Sequence, residues 1–351
     1  MFNSFSELEN SSRTFIIAEA GSNWKCGEYE DDLKRGKDLI KIAALCGADA
    51  VKFQTYRPET TYVYGAGSSN YLSEHGINED INKIFENLAM PYEMIPELAK
   101  YAQEQKILFM STPFSVNDAK QIDPFVSIHK IASFEINHTR LIEFIAKTQK
   151  PIIISTGAST YDEIDFAVNL VKKTHDKLAL LQCTSKYPCP LESLNLSVIP
   201  HMKSRYDLPV GLSDHSIDPI IGPILAVGLG SIIIEKHFTL DRNLPGPDHA
   251  FALVPSELEL MIKSIRIAEL AKGNGKKIIL DEELELRRFA TRSIQAIKDI
   301  SKGDTLQEGI NFDILRPGNR IRGAEARFLE LINGKRSKKD VKNGDGITEY
   351  E

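Results

Sequence analysis

Several absences narrow the reading of this 351-residue chain before any motif is found. A basic excess is missing: the formal net charge is −6, so no broad cationic surface exists to release counterions from a nucleic acid. No apolar run approaches the length of a membrane helix, so no membrane partner is expected. Cysteine is scarce. Cys26, Cys46, Cys183 and Cys189 follow no zinc-finger spacing and read as free thiols of a reducing compartment. Neither a G-x-G-x-x-G nor a P-loop follows any apolar run, which argues against a dinucleotide-binding open sheet. The opening stretch, MFNSFSELENSSRT, is acidic and holds no signal-peptide core, and a cytoplasmic location is the expectation.

What the chain does have is a run of short apolar, β-branched segments. They fall at 14–20, 49–55, 107–112, 127–133, 151–156, 178–184, 208–214 and 231–237. Such continuous runs suit strands covered on both faces, as in parallel sheets. Helix-like stretches lie between several of them, at 31–48, 91–106, 139–149 and 160–174, the last with Thr160 as a cap and an acidic first turn. Eight strands alternating with helices over this length predict an α/β (β/α)8 TIM barrel, with a doubly wound sheet as the competitor. The insert at 56–90, with Tyr56, Tyr62, Tyr64 and Tyr71, is too long for a plain connector and is a candidate lid or substrate loop. The Gly-rich, basic stretch 271–277 reads as a boundary. The texture then changes to short strands and glycine turns, so the expected domains are a barrel over 1–280 and a linker with a small, mostly β module over 281–351.

In a βα barrel the active face is built at the C-terminal ends of the strands. Each predicted strand here ends in ionisable or hydroxyl groups: Glu19; Lys52 and Gln54; Thr112; Lys130, Ser133 and Glu135; Ser155; Thr184 and Ser185; Ser213, Asp214 and His215; Glu235, Lys236 and His237. Such a ring is an enzyme's pattern. Its lysines and hydroxyls suit a phosphate and a carboxylate together. His215 and His237, at adjacent strand ends, suit a divalent ion with open positions. The stiff LPGPDHAF loop (244–251) either fixes Asp248 over the mouth or is a simple turn.

These strings resemble the sialic acid (nonulosonic acid) synthases, through IIAEAGSN (16–23), GADAVKFQT (47–55), KIASFEINH (130–138), CTSKYPCP (183–190), GLSDHS (211–216), IEKHFTLD (234–241), PGPDH (245–249) and RPGN (316–319). The C-terminal module is similar to the family's antifreeze-like SAF domain, and several strings look closest to the bacterial spore-coat and surface-polysaccharide branch. The resemblance implies condensation of phosphoenolpyruvate with an N-acylated hexosamine such as N-acetylmannosamine, giving a nine-carbon 2-keto acid and phosphate. A 6-deoxy, di-N-acetylated sugar leading to legionaminic or pseudaminic acid is the alternative.

By the same resemblance, His215 and His237 hold a divalent metal, manganese in the family with magnesium or cobalt as substitutes. Lys52, Thr112, Lys130, Ser133, Ser155 and Ser213 bind phosphoenolpyruvate, and Glu19 and Glu135 are the catalytic carboxylates. Gln54, Tyr187 and Asp248, with Ser185, meet the sugar. Arg316 matches the SAF arginine that reaches the N-acyl group from the other subunit of a domain-swapped homodimer. The chain departs from the family's pattern at Trp24, which puts an indole near the site in place of the usual histidine, at Ser185-Lys186 and in the insert.

Overall fold

The computed structural model describes Phe5, residues 13–68 and residues 79–351. Two compact units meet at Gly273/Asn274, inside the glycine-rich stretch marked as a boundary. The first unit contains β1 (Phe15–Gly21), β2 (Ala50–Thr55), β3 (Leu108–Pro113), β4 (His129–Ile131), β5 (Ile152–Ser155), β6 (Leu178–Cys183), β7 (Val210–Asp214) and β8 (Ile233–His237). Around them run α1 (Tyr29–Cys46), α2 (Ile81–Leu88), α3 (Met94–Glu104), α4 (Val116–Ile122), α5 (Thr139–Lys147), α6 (Tyr161–Lys172), α7 (Val198–Tyr206), α8 (Ile221–Gly228) and α9 (Pro255–Lys272). The expected cap is present: Thr160 and Glu163 form a reciprocal capping box at the start of α6.

The strands lie in the order β3-β2-β1-β8-β7-β6-β5-β4, with every adjacent pair parallel. β1 hydrogen-bonds to both β2 and β8, so the sheet curls round on itself. The two end strands, β3 and β4, lie side by side and close the barrel without a hydrogen-bonded ladder between them. The fold is the (β/α)8 barrel that the spacing of apolar runs predicts.

Strand side chains alternate between two cores, because successive residues face opposite sides of a strand. On β1, Ile16, Ala18 and Ala20 join the layer between strands and helices. Phe15 and Ile17 instead join Ala50, Met110, Ile153 and Ile233 in a second cluster that fills the lower barrel. Gly211 lacks a side chain for a physical reason. A Cβ there would collide with the Ile233 carbonyl and sit 2.6 Å from Leu181 Cδ2. Above these apolar layers the same inward positions turn polar, and that change of chemistry along one face makes the site.

The second unit, residues 274–351, carries a small antiparallel pair, β9 (Ser293–Ala296) with β10 (Phe312–Leu315). Isolated bridges and turns supply most of its remaining structure. It has a core of its own, which includes Ile294, Leu306, Phe312 and Ile347.

Candidate active site

Parity along the strands decides which polar residues meet. Glu19 follows Phe15 and Ile17 on the inward face of β1, in register with Lys52 on β2 and His237 on β8. Ser213 is in register with Glu235 across β7 and β8. The outcome is a charged floor buried at the barrel's centre. Lys52 Nζ lies 2.6 Å from Glu19 Oε2 and 3.6 Å from Glu235 Oε1, and Lys130 Nζ lies 3.7 Å from the same Glu235 oxygen. Lys52 donates to Thr112 Oγ1 (3.0 Å), Lys130 to Ser155 Oγ (2.7 Å), Gln54 Nε2 to Glu19 Oε1 (3.0 Å) and Ser213 Oγ to Glu235 Oε1 (3.3 Å).

Burial and neighbours set the protonation of this floor. Burial pushes the Glu19 carboxyl up to about 7 against the pull of Lys52. For Lys52, burial works against the charge, but Glu19 and Glu235 outweigh it and hold the ammonium above its ordinary value. Lys130 is lowered by burial, with Glu235 opposing. Glu235 is disfavoured as an anion by burial, yet Lys130 and Lys52 keep its carboxyl below the usual range. Two cations and hydroxyls around one central carboxylate make a cradle for a small dianion.

Beside the floor stand the two histidines, their ring centres 5.6 Å apart. His215 Nδ1 faces the Thr184 carbonyl at 2.9 Å, and Tyr187 packs over its ring at 4.1 Å. Burial lowers His237 to about 3, so its imidazole is neutral, the form that ligates metals. Its Nδ1 is buried with no hydrogen-bond partner. That orphaned nitrogen fits an ion. Among the described residues no group of three or more His, Cys, Asp or Glu is arranged to hold a metal. The two imidazoles would therefore leave most positions around an ion open to ligands from outside the chain.

Floor and histidines line one cavity of about 850 Å³, a size ordinary for small-molecule sites. Ser133, Ser185 and Glu135 line it as well. Burial, aided by the charge of Asp118, raises Glu135 to about 7. Asp248 is aimed at the mouth by Ser22, which donates from both its N–H (3.0 Å) and its Oγ (2.8 Å). The proline-rich loop is thus a positioned element and not a simple turn. Gly157 gives its N–H to Ser133 Oγ at 3.0 Å, and a Cβ there would crowd Ser185 Oγ and stand 2.9 Å from both Cys183 Sγ and Ser133 Oγ. Ser185 Oγ and Glu235 Oε2 are buried without hydrogen-bond partners. Buried polar atoms are nearly always satisfied, so these point to a ligand's place.

Fourteen of the residues singled out in the sequence line this cavity: Glu19, Lys52, Gln54, Thr112, Lys130, Ser133, Glu135, Ser155, Ser185, Tyr187, Ser213, His215, His237 and Asp248. Arg316 belongs to the second unit, exposed just beyond β10. Two sequence readings need correction. Lys236 does not belong with the floor cations, because parity turns it outward into a buried pair with Asp214 (2.6 Å). Trp24 is packed in the barrel–helix core and does not line the cavity, so its indole replaces no polar group there. The insert contributes Tyr56, Thr61 and Tyr62 and the inner face of α2 to the cavity. Tyr64 is exposed, and Tyr71 lies outside the described residues. Glu235 was visible as a strand-end residue but carried no assigned role. Its spacing, two beyond inward Ile233 and two before His237, was the available signal.

Comparison with known proteins follows the same two units. The NeuB family model matches residues 39–277 and the SAF domain model residues 291–349. The chain is 37% identical to the spore coat polysaccharide biosynthesis protein SpsE of Bacillus subtilis, across 95% of this chain and 92% of that protein. It is also 37% identical to the pseudaminic acid synthase of Campylobacter jejuni, across 95% of each. Among solved structures, the N-acetylneuraminic acid (sialic acid) synthetase of Leptospira borgpetersenii has a TM-score of 0.68 at 34% identity, covering 78% of this chain and 91% of that one. With a barrel that carries this site and a second unit of the matching kind, the chain belongs to the NeuB family and carries a SAF domain.

Proposed function

We propose that the chain is a nonulosonic acid synthase that condenses phosphoenolpyruvate with an N-acyl hexosamine, of the N-acetylmannosamine type or its di-N-acetylated 6-deoxy counterpart, giving a nine-carbon 2-keto sugar acid and phosphate. One observation carries the reading: a buried two-lysine floor stands directly beside two histidines and two carboxyls raised to about 7, all in one cavity. The names of relatives, pseudaminic acid synthase, N,N'-diacetyllegionaminic acid synthase and N-acetylneuraminate-9-phosphate synthase, support the same chemistry.

In this reading Lys52 and Lys130, with Thr112, Ser133, Ser155 and Ser213, bind the phosphate and carboxylate of phosphoenolpyruvate. Their hydrogen bonds fix the enol carbon that attacks the open-chain aldehyde. That attack needs a proton at the aldehyde oxygen, and the water that adds at C2 must lose one. Glu135, raised chiefly by burial, is the donor. Glu19, held between Lys52 and Gln54, takes the proton from water. Collapse of the tetrahedral intermediate then releases phosphate. Gln54, Tyr187, Ser185 and Asp248 hold the sugar. A divalent ion on His215 and His237, manganese by preference, supplies Lewis-acid polarisation of the aldehyde when bound.

Arg316 is proposed to reach the N-acyl group from the SAF domain of a partner subunit in a swapped homodimer. Arg316→Ala then raises the sugar KM and leaves the KM for phosphoenolpyruvate alone. An unchanged sugar KM removes that contact. The reaction itself is tested by incubating the protein with phosphoenolpyruvate, manganese and a panel of N-acyl mannosamine and bacillosamine-type sugars while following phosphate. Release with none of them rejects the synthase.

A further inference from the structure

The insert between β2 and α3 builds a feature that the condensation does not call for. α2 is amphipathic, with Ile81, Ile84, Phe85 and Leu88 spaced i, i+3, i+4 and i+7 on one face. These four side chains form a small cluster of their own, separate from both barrel cores. They line the cavity, where Phe85 meets Tyr56 (ring centres 4.5 Å apart) and Tyr62 (4.9 Å, edge to face).

The element is also pre-formed. Asp80 caps α2 by accepting from Asn82 N–H (2.9 Å) and ties it back by accepting from Gly67 N–H (3.0 Å). Asn82 Nδ2 donates to the Val63 carbonyl (3.0 Å). Arg57, at the start of the insert, donates to the Met90 carbonyl at its end (3.0 Å) and stacks on Tyr92 at 3.7 Å. Ile81 and Ile84 are already buried, and Phe85 and Leu88 keep part of their apolar surface open where they line the cavity.

The reacting atoms belong to the charged floor and the histidines. We therefore propose that the α2 face, with Phe85 at its centre, is the specificity wall of the site. It takes the end of the sugar that points away from the aldehyde and selects a substrate carrying methyl groups there, as a 6-deoxy carbon and a second N-acyl group do, over one carrying hydroxyls. This rests on the condensation reading above and adds to it the residues that choose the sugar. A methylene in an apolar pocket changes kcat/KM by about 10- to 200-fold, enough to set preference without moving the chemistry.

The test compares phosphate release with a 2,4-diacetamido-2,4,6-trideoxyhexose and with N-acetylmannosamine, for the wild type, Phe85→Ser and Phe85→Leu. The wild type is expected to favour the trideoxy sugar by about tenfold or more. F85S should lose about 10- to 100-fold in kcat/KM for that sugar. Its loss with N-acetylmannosamine should be clearly smaller, so that the preference shrinks, its KM for phosphoenolpyruvate should stay near wild type, and F85L should retain the preference. Should F85S not fold, Leu88→Ser makes the same comparison. A wild type that prefers N-acetylmannosamine, or a loss equal for both sugars, overturns the wall while leaving the synthase intact. No release with either sugar overturns the synthase and the wall together.

Discussion

Strands β7 and β8 build two clusters of buried charge, one on each face. Inward, Glu235 sits among Lys52, Lys130 and Ser213, with Glu235 Oε2 and the nearby His237 Nδ1 unpartnered. Outward, Asp214 and Lys236 meet at 2.6 Å, both essentially inaccessible. Lys236 also donates to the carbonyl (2.6 Å) and Oγ (3.1 Å) of Ser216, and Asp214 Oδ1 accepts from Ser216 N–H (2.8 Å). Residue types and depth are alike; satisfaction differs. The outward pair is closed on itself and straps the turn carrying His215 to the strand carrying His237. The inward group keeps capacity for something not in the chain. Buried charge is costly unless paired, so the unfinished cluster marks a site and the finished one a strut.

The largest expected effect lies on the inward side. His215→Ala and His237→Ala should each drop manganese-dependent phosphate release to background while circular dichroism and melting stay near wild type. Full turnover in either variant would falsify its place as a metal ligand. Glu19→Gln should come next, with turnover reduced about 10²- to 10⁴-fold. Near pH 5, where burial keeps that carboxyl in its neutral form, stability should change little.

The outward pair should behave in the opposite way. Lys236→Met alone strands a buried carboxylate and should cost about 3–5 kcal/mol in denaturant unfolding. The double replacement Asp214→Leu with Lys236→Met should recover most of that loss. If K236M melts like the wild type, the strut is not holding the turn.

The smallest effect tests whether the site works against stability through pH. Glu135 is raised from 4.5 to about 7, so the folded state favours its protonated form. That contribution is fully present below about pH 4.5 and is lost as pH rises through about 7. Glutamine mimics the protonated form at every pH. Glu135→Gln should therefore match wild-type stability near pH 5 and exceed it near pH 8 by up to about 3 kcal/mol. Because glutamine cannot donate the proton, the same variant should lose turnover across the whole pH range. Parallel stability curves for the two proteins would exclude the shift.

Much of this was legible in the sequence because one rule, alternation along a strand, governs both the fold and the floor. Phe15, Ile17 and Glu19 keep a single parity, and so do Ile233, Glu235 and His237. The same rule, applied to Asp214 and Lys236, would have turned them outward; reading charge type without parity put Lys236 among the floor cations. The α2 wall was hidden for a different reason. Eight residues inside a long insert give too few turns for periodicity to announce a face, and only the fold shows that the face looks into the cavity. Trp24 was misplaced because position after a strand does not say whether a ring enters the mouth or the layer behind it.

The seam between β3 and β4 has a consequence for how this barrel is wired. These strands are neighbours in the chain, yet they occupy the two ends of the hydrogen-bonded order. Cutting the chain between them would sever no inter-strand ladder among the described residues, while β1 and β8 would stay hydrogen-bonded. The connection spanning 114–128, with α4 inside it, is therefore what ties the two ends of the hydrogen-bonded order together. In the intact protein, the facing edges of β3 and β4 are where strand amides should exchange with solvent first.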